Sequence, residues 1–177
     1  MTKEFIIAGF GGQGIVSSGI ILAYAGLLEN LNVTFFPSYG AEMRGGTANC
    51  SVVVSDEKIA SPVVVNPDIV IIMNEPSLLK FEPLVKPGGI LFFNQTLIKS
   101  RPKRNDIEVI AVEANKIAEE LGQGRIANMV MLGALIKKTK IVGIESMKKA
   151  QRKRFSRASE EQLTVNDRAL ERGYALL

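Results

Sequence analysis

The chain has 177 residues, a formal net charge of +4 and 46% hydrophobic residues, which fits one globular domain with a sizeable core. It contains no histidine and a single cysteine, Cys50. Those absences exclude His-ligated zinc, His general bases, Ser-His-Asp triads, an intrachain disulfide and an iron–sulfur cluster held by this chain.

Met1-Thr2-Lys3-Glu4 leads into an apolar stretch, Phe5 to Phe10, too short for a signal-peptide core. Phe5 to Ala8 reads as a short buried strand, and glycine-rich residues separate it from a helix over about Ile15 to Leu28. That helix is the longest uncharged run, yet it falls short of the roughly 18–20 residues of a membrane span. A cytoplasmic chain with no membrane contact is the expectation. Val33 to Phe36 reads as a second strand. Asn49 to Val54 is a third, closed by the Ser55-Asp56-Glu57-Lys58 turn, and Cys50 within it reads as a small buried hydrophobe. Asp68 to Met73 is a continuous apolar strand of the kind buried on both faces. Asn74-Glu75-Pro76-Ser77 then starts a helix, with Pro76 in its first turn.

Further on, Pro87-Gly88-Gly89 turns the chain into a strand over Ile90 to Phe93, and a shorter strand covers Ile107 to Ala111. Helix follows from about Asn115, breaks near Gly122 and Gly124, and resumes over Ile126 to Lys137, with Lys137 and Lys138 suiting its C-terminus. Ser159 and Gln162 offer a capping box before a last helix over about Asn166 to Tyr174. The pattern predicts an α/β fold: a single doubly wound, mostly parallel Rossmann-like sheet over 1–143, with a helical C-terminal extension over 144–177.

Two predicted helices are apolar all round. In the first, Ile15, Gly19, Leu22, Ala23 and Gly26 share the side that packs on the sheet, with the glycines allowing close approach. Ser17, Ile21, Tyr24 and Leu28 fall opposite, on a stripe that should be wet. Ile126 to Ile136 shows the same excess. Burial against another chain is the expectation for at least one of these helices, and cover by the C-terminal extension is the alternative. Self-association of the isolated chain through Ile21 and Tyr24 follows from the first reading.

Gly9-Phe10-Gly11-Gly12-Gln13-Gly14 fits G-x-G-x-x-G between a strand and a helix, where backbone amides hold phosphate. A dinucleotide site also needs an acid at the end of the second strand, and positions 32 to 41 contain none, which disfavours NAD. Gly14 is followed by Ile15-Val16, which excludes a P-loop. A tight turn that merely requires glycine is the competing reading. The loop Ser38 to Gly46 falls on the carboxyl edge of the sheet and carries Glu42 and Arg44. Arg44 suits bidentate recognition of a carboxylate or phosphate, or else pairs with Glu42 to fix the loop. Asn74 lies on the same edge. Lys148, Lys149, Arg152, Lys153, Arg154 and Arg157 form a basic run with no base-stacking motif beside it. It reads as a solvated helix face or a contact to an acidic partner, and nucleic-acid binding is not expected.

Together the glycine loop, Ser38-Tyr39-Gly40-Ala41-Glu42-Met43-Arg44-Gly45-Gly46-Thr47-Ala48-Asn49-Cys50, Ser61-Pro62, Pro67-Asp68 with Met73-Asn74, and Lys86-Pro87-Gly88-Gly89 resemble the gamma subunit or gamma domain of 2-oxoacid:ferredoxin oxidoreductases, over about residues 4 to 140. The basic segment matches no motif. The resemblance implies a supporting subunit of an enzyme that converts a 2-oxoacid, coenzyme A and oxidised ferredoxin to acyl-CoA, carbon dioxide and reduced ferredoxin. Thiamine diphosphate then lies mainly between alpha and beta partners, iron–sulfur clusters on beta or delta partners, and ferredoxin is met through the holoenzyme. This chain alone binds none of these cofactors, and the gamma domain is associated with accommodating CoA. The Ser-Tyr-Gly-Ala-Glu-Met-Arg-Gly-Gly form is most similar to 2-oxoglutarate-type gamma subunits; pyruvate and branched-chain types and indolepyruvate oxidoreductase beta subunits are relatives. Gly11, Gly12, Gln13 and Gly14 are expected to meet a CoA phosphate or shape an interface. Ser38, Tyr39, Glu42, Arg44 and Asn74 are expected to face the cofactor edge and a partner. The alternative is a stand-alone nucleotide-binding Rossmann-like protein.

Overall fold

The computed structural model describes residues 1–39 and 47–177, with Tyr39 described through its backbone alone. Its strands are β1 (Thr2–Phe10), β2 (Asn32–Tyr39), β3 (Thr47–Ser55), β4 (Ile69–Ile72), β5 (Ile90–Asn94) and β6 (Glu108–Val112). Its helices are α1 (Ile15–Leu28), α2 (Glu75–Phe81), α3 (Ala114–Glu120), α4 (Ala127–Thr139), α5 (Ile144–Arg154) and α6 (Glu160–Tyr174). The six strands form one sheet in the order β2-β3-β1-β4-β5-β6. β1, β4, β5 and β6 are parallel, as expected of an α/β fold, and β3 runs antiparallel between β1 and β2.

β1 is longer than its apolar core suggests, because β3 pairs along all of it, from Thr2 opposite Ser55 to Phe10 opposite Thr47. Alternation along β1 sends Phe5 and Ile7 to one face of the sheet and Ile6 and Ala8 to the other. The first face carries α1, α4 and the larger core; the second carries α2 and the smaller one. At the amino edge Lys86 Nζ reaches Glu4 (2.6 Å) and Asp68 (3.3 Å), joining the starts of β1 and β4. The Glu4 carboxylate, then Asp68, hold the Lys86 ammonium above its ordinary pKa. β2 is an edge strand, with Pro37 inside it and Phe36 exposed.

α1 packs on the sheet through its glycines. A Cβ on Gly19 would lie 2.5 Å from Cys50 Sγ and 2.7 Å from the Phe35 ring, and one on Gly26 would lie 2.7 Å from Val33 Cγ1. Cys50 is fully buried behind α1, and loss of solvent pushes its thiol up to about 12. The outer stripe is covered from within the chain, which corrects the expectation of a second chain there. Ile21 is fully buried, α5 packs on α1, and the Lys153 ammonium sits 4.6 Å from the centre of the Tyr24 ring. Leu27 and Leu28, at the end of α1, stay half exposed.

α4 is buried at every position from Ala127 to Ile136 because the sheet lies on one side and α6 on the other. The two helices meet backbone to backbone. A Cβ on Gly133 would overlap the Leu170 carbonyl oxygen, and one on Gly173 would overlap that of Val130. α6 starts earlier than its apolar pattern indicates, at Glu160, where Ser159 Oγ accepts from Gln162 N (3.2 Å). The reciprocal half of the capping box is not made, since Gln162 Nε2 donates to Asn166 Oδ1 (3.1 Å). A buried amide pair then joins α5 to α6: Asn166 Nδ2 donates to Gln151 Oε1 (3.1 Å), and Gln151 Nε2 donates to Leu163 O (3.1 Å) and Asp167 Oδ1 (2.9 Å). The basic run is partly neutralised here, with Lys148 on Glu171 (2.7 Å) and Arg152 on Asp167 (2.8 Å) and Glu160 (2.7 Å).

Two outcomes follow from this packing. Gly133→Ala and Gly173→Ala each lower stability by about 3 kcal/mol in urea titrations, because the clash is with backbone that no rotamer change relieves. A loss below about 1 kcal/mol would mean that the helices do not touch. The Cys50 thiol of the native chain resists iodoacetamide at pH 8 and reacts only at the rate of unfolding; rapid native labelling would overturn the burial. Since folding raises this pKa from 9.0, its contribution to stability is full below pH 9 and falls as pH rises from there towards 12.

Candidate functional site

The loop between β1 and α1 is fixed by one side chain. Gln13 Oε1 accepts from Phe10 N (2.7 Å), Gln13 Nε2 donates to Met73 O (3.1 Å), and Gln13 N donates to Phe10 O (3.2 Å). The side chain expected to meet a phosphate therefore staples the loop to the end of β4. Gly9 must be glycine for the same reason, since a Cβ there would lie 2.5 Å from Gln13 Oε1 and 2.8 Å from Met73 Cβ. Gly12 and Gly14 adopt positive φ, +95° and +75°.

Gly14 caps α1 without a side chain, and its carbonyl accepts from Ser18 N (2.8 Å), Ser18 Oγ (2.8 Å) and Asn128 Nδ2 (3.4 Å). The amides of Ile15, Val16 and Ser17 open the helix without intrahelical acceptors. No acidic side chain lies in that first turn, so the positive end of the helix dipole is unopposed there. This turn, Gly11, Gly12, Thr47 and Ala48 line a cleft of about 320 Å³ that holds no charged side chain among the described residues.

The start of β3, and with it the end of β2, lies at this cleft. Asn49 lies opposite both Ser38 and Ala8, and Thr47 lies opposite Phe10. Ser38 is exposed and Tyr39 ends β2 at this edge; Glu42 and Arg44 lie outside the described residues. Asn74 is buried as the N-cap of α2, where its Oδ1 accepts from Ser77 N (3.0 Å), and its Nδ2 has no partner among the described residues. Thus Gly11, Gly12, Gly14, Ser38 and the end of β2 meet at one sheet edge, whereas the side chains of Gln13 and Asn74 serve the fold.

Two further clefts open on the α4 side of Gly12. One of about 280 Å³ is lined by Gly14, Ser17, Arg125, Asn128 and Gln162, among others, and one of about 240 Å³ by Gln13, Met73, Asn115 and Arg125. Gly12 belongs to all three clefts. Sequence reasoning overlooked Arg125, Asn115 and Asn128. The signal was available for Arg125: Gly122-Gln123-Gly124-Arg125 precedes α4 and follows the last strand's helix on the same edge.

Over residues 4–176 the sequence matches the family model described as pyruvate ferredoxin/flavodoxin oxidoreductase. The chain belongs to this family. It is 37% identical over 177 residues to the 2-oxoglutarate synthase subunit KorC of Methanocaldococcus jannaschii, covering 98% of this chain and 93% of that one. The gamma subunit of a keto/oxoacid ferredoxin oxidoreductase from Geobacter sulfurreducens has the same fold, with a TM-score of 0.83 and 28% identity over 98% of this chain and 96% of that chain. The 2-oxoglutarate:ferredoxin oxidoreductase of Magnetococcus marinus, solved with 2-oxoglutarate, coenzyme A and succinyl-CoA bound, superposes with a TM-score of 0.90 and 28% identity over 99% of this chain and 31% of that one. Likewise, the chain spans about a third (35%) of the ketoisovalerate oxidoreductase subunit VorA of Methanothermobacter marburgensis, to which it is 41% identical. The same unit thus occurs as a chain by itself and within chains about three times as long.

The loop separates two kinds of glycine. Gly12→Ala meets no atom within 4 Å and loses only backbone ease, about 1 kcal/mol. Gly14→Ala adds to that a Cβ 2.5 Å from Asn128 Nδ2, and is expected to cost about 2–3 kcal/mol. Equal melting temperatures for the two variants would show that Asn128 does not seat on Gly14.

Proposed function

We propose that this chain is the gamma subunit of a multi-subunit 2-oxoacid:ferredoxin oxidoreductase, a supporting subunit with no redox centre of its own. The observation that carries the reading is the family match over 4–176, joined to relatives of the same length that are named as subunits of such enzymes. The reaction is the oxidative decarboxylation of a 2-oxoacid with coenzyme A, and 2-oxoglutarate is the substrate we favour. KorC-type relatives support that choice, while ketoisovalerate- and pyruvate-type relatives mark the other substrates to test.

The donors at the glycine loop suit a phosphate-bearing ligand: bare backbone amides at a helix start, a serine hydroxyl and an arginine, in clefts lined by no carboxylate among the described residues. They do not suit an iron–sulfur cluster. The one thiol is buried behind α1, and among the described residues no three His, Cys, Asp or Glu side chains are grouped to hold a metal. In this reading Gly11, Gly12 and Gly14 lie against coenzyme A and Gln13 holds their conformation. Ser38, Tyr39, Glu42 and Arg44 face the alpha or beta partner, and Asn74 supports that edge from the cap of α2. When bound, coenzyme A supplies the thiol that receives the acyl group. Thiamine diphosphate and the clusters belong to alpha, beta or delta partners, and ferredoxin meets the holoenzyme. The chain divides into a Rossmann-like unit, 1–143, and a helical extension, 144–177. No helix among the described residues is long and apolar enough to cross a membrane, and we place the enzyme in the cytoplasm.

The test is anaerobic affinity purification of the chain from cells that express it. The eluate is assayed for CoA-dependent viologen reduction with 2-oxoglutarate, pyruvate and ketoisovalerate. Co-purifying thiamine- and cluster-binding chains with activity are expected, while the chain by itself is inactive. A chain recovered alone, with nucleotide bound and no activity restored by lysate, would overturn the subunit reading.

A further inference from the structure

The basic run at the end of α5 has no part in the site described above. Two of its cations are neutralised within the chain: Lys148 by Glu145 (3.2 Å) and Glu171 (2.7 Å), and Arg152 by Glu160 (2.7 Å) and Asp167 (2.8 Å). The other four, Lys149, Lys153, Arg154 and Arg157, are exposed and meet no carboxylate among the described residues. Lys149 and Lys153 stand one turn apart on α5, where like charges repel. Two of the four are held in place by aromatic rings. The Lys153 ammonium lies 4.6 Å from the centre of the Tyr24 ring, and the Arg154 guanidinium 5.4 Å from that of Phe155. Arg154, Phe155, Ser156, Arg157 and Ala158 line a cleft of about 520 Å³ with a guanidinium on either side of it and no carboxylate in its wall. The fold thus supplies carboxylates to two cations of the run and leaves four in mutual repulsion at the surface.

Several kinds of anion are attracted to such a patch, and its surroundings separate them. A single small anion would touch one or two of the cations, because Lys149 to Arg154 alone covers about 7–8 Å of helix. An anionic lipid surface needs an apolar face to insert, and Met147 and Ala150, the apolar residues of α5, are fully buried. Single-stranded nucleic acid needs open rings for its bases, whereas the one aromatic of the run, Phe155, is half buried and already stacked with Arg154. The exposed Glu160 and Glu161, which start α6 directly after the run, would also repel a phosphodiester backbone laid along it. Separate carboxylates on a protein surface match the spacing, and the arginine forks match a carboxylate in two bonds. We propose that the end of α5 and the turn after it form a docking surface for an acidic segment of another protein chain, with one carboxylate seated between Arg154 and Arg157 and others on Lys149 and Lys153. The occupant is a partner subunit of the oxidoreductase. That identity rests on the subunit reading, whereas the acidic chemistry of the occupant rests on the patch alone. Cations already ordered on rings lose less freedom when the segment binds, and the patch steers its approach.

The surface is tested on the full-length chain by fluorescence anisotropy with a labelled oligoglutamate. Binding is expected at about 20 mM salt and falls by about tenfold on going to about 200 mM, as the charges are screened. Lys149→Gln/Arg157→Gln, which spares the two ring-stacked cations, is expected to keep the native melting temperature and to weaken binding by about tenfold. Lys3→Gln/Lys58→Gln removes the same charge at the amino edge and leaves binding unchanged. Equal losses in the two double variants would reduce the attraction to net charge and overturn the proposal. Absence of binding, or tighter binding of an RNA duplex or of phosphatidylserine vesicles, would overturn it as well. In the anaerobic purification, the charge-reversed chain Lys149→Glu/Arg157→Glu is expected to lose its partner chains at lower salt than the native chain does. Partners held as firmly by both would overturn the docking of a subunit here and leave the subunit reading intact. Partners missing from the native chain too would sink the subunit reading, and the oligoglutamate measurement would still decide the surface.

Discussion

The contact between α4 and α6 at Gly133 and Gly173 sets the geometry of much of the molecule. With no side chain on either glycine, two helix backbones touch, and α4 is held against the sheet along its whole apolar length. That places the start of α4, with Arg125 and Asn128, over Gly12 and Gly14, and the start of α6, with Gln162 and Asn166, beside them. A bulkier residue at either glycine would lift α6 and open this wall. The same packing removes the surface on which a second chain would have been needed: α6 covers α4 and α5 covers α1. A buried amide exchange between Gln151 and Asn166, hydrogen-bonded and not charged, sets α5 and α6 in register.

Charge is distributed unevenly between the two ends of the sheet. At the amino edge Lys86, Glu4 and Asp68 satisfy one another. At the carboxyl edge the β1–α1 loop carries no charge, the first turn of α1 has no acid, and Arg125 stands without a carboxylate among the described residues. Among the described residues, one end is therefore electrostatically satisfied within the chain, and the other presents donors without carboxylate partners. The antiparallel β3 supports this arrangement, because it starts with Thr47 opposite Phe10, beside the glycine loop. It also alters the dinucleotide comparison: β2 is not the neighbour of β1, so an acid ending β2 would not stand where a ribose-binding acid stands in the usual strand order.

The elements were legible where periodicity is strong. The β1, β4 and β5 apolar runs, the Asn74 and Ser159 caps and the glycine face of α1 could all be read from local spacing. Long-range pairing was not. β3 reads as a strand, but nothing in Asn49 to Val54 states its direction, and that depends on Thr47 pairing with Phe10 across the sheet. The stripe of Ile21 and Tyr24 suggested a partner because its cover, α5, lies more than a hundred residues away and is too charged to look like a lid; one of its basic side chains, Lys153, sets its ammonium over the Tyr24 ring. At the site, Gly11, Gly12, Gln13 and Gly14 read as meeting a phosphate, shaping an interface or forming a tight turn, and the local spacing does not reveal that the Gln13 side chain bonds Phe10 N and Met73 O across the loop. Arg125 was hidden because a lone arginine after a glycine has no motif; its meaning comes from three segments that converge on Gly12.

The edge strand β2 carries one more consequence. Its outer side is unpaired, and a strand of eight residues with Phe36 exposed could recruit a strand from another molecule. Pro37 brings no N–H to such a pairing. At the opposite edge β6 has only five residues, and its Glu108 is joined to Lys138 (2.6 Å). Neither border favours continuation of the sheet. Growth of an assembly by strand addition is thereby discouraged, and association is directed to faces and loops, where a unit can be fitted into a larger enzyme without polymerising.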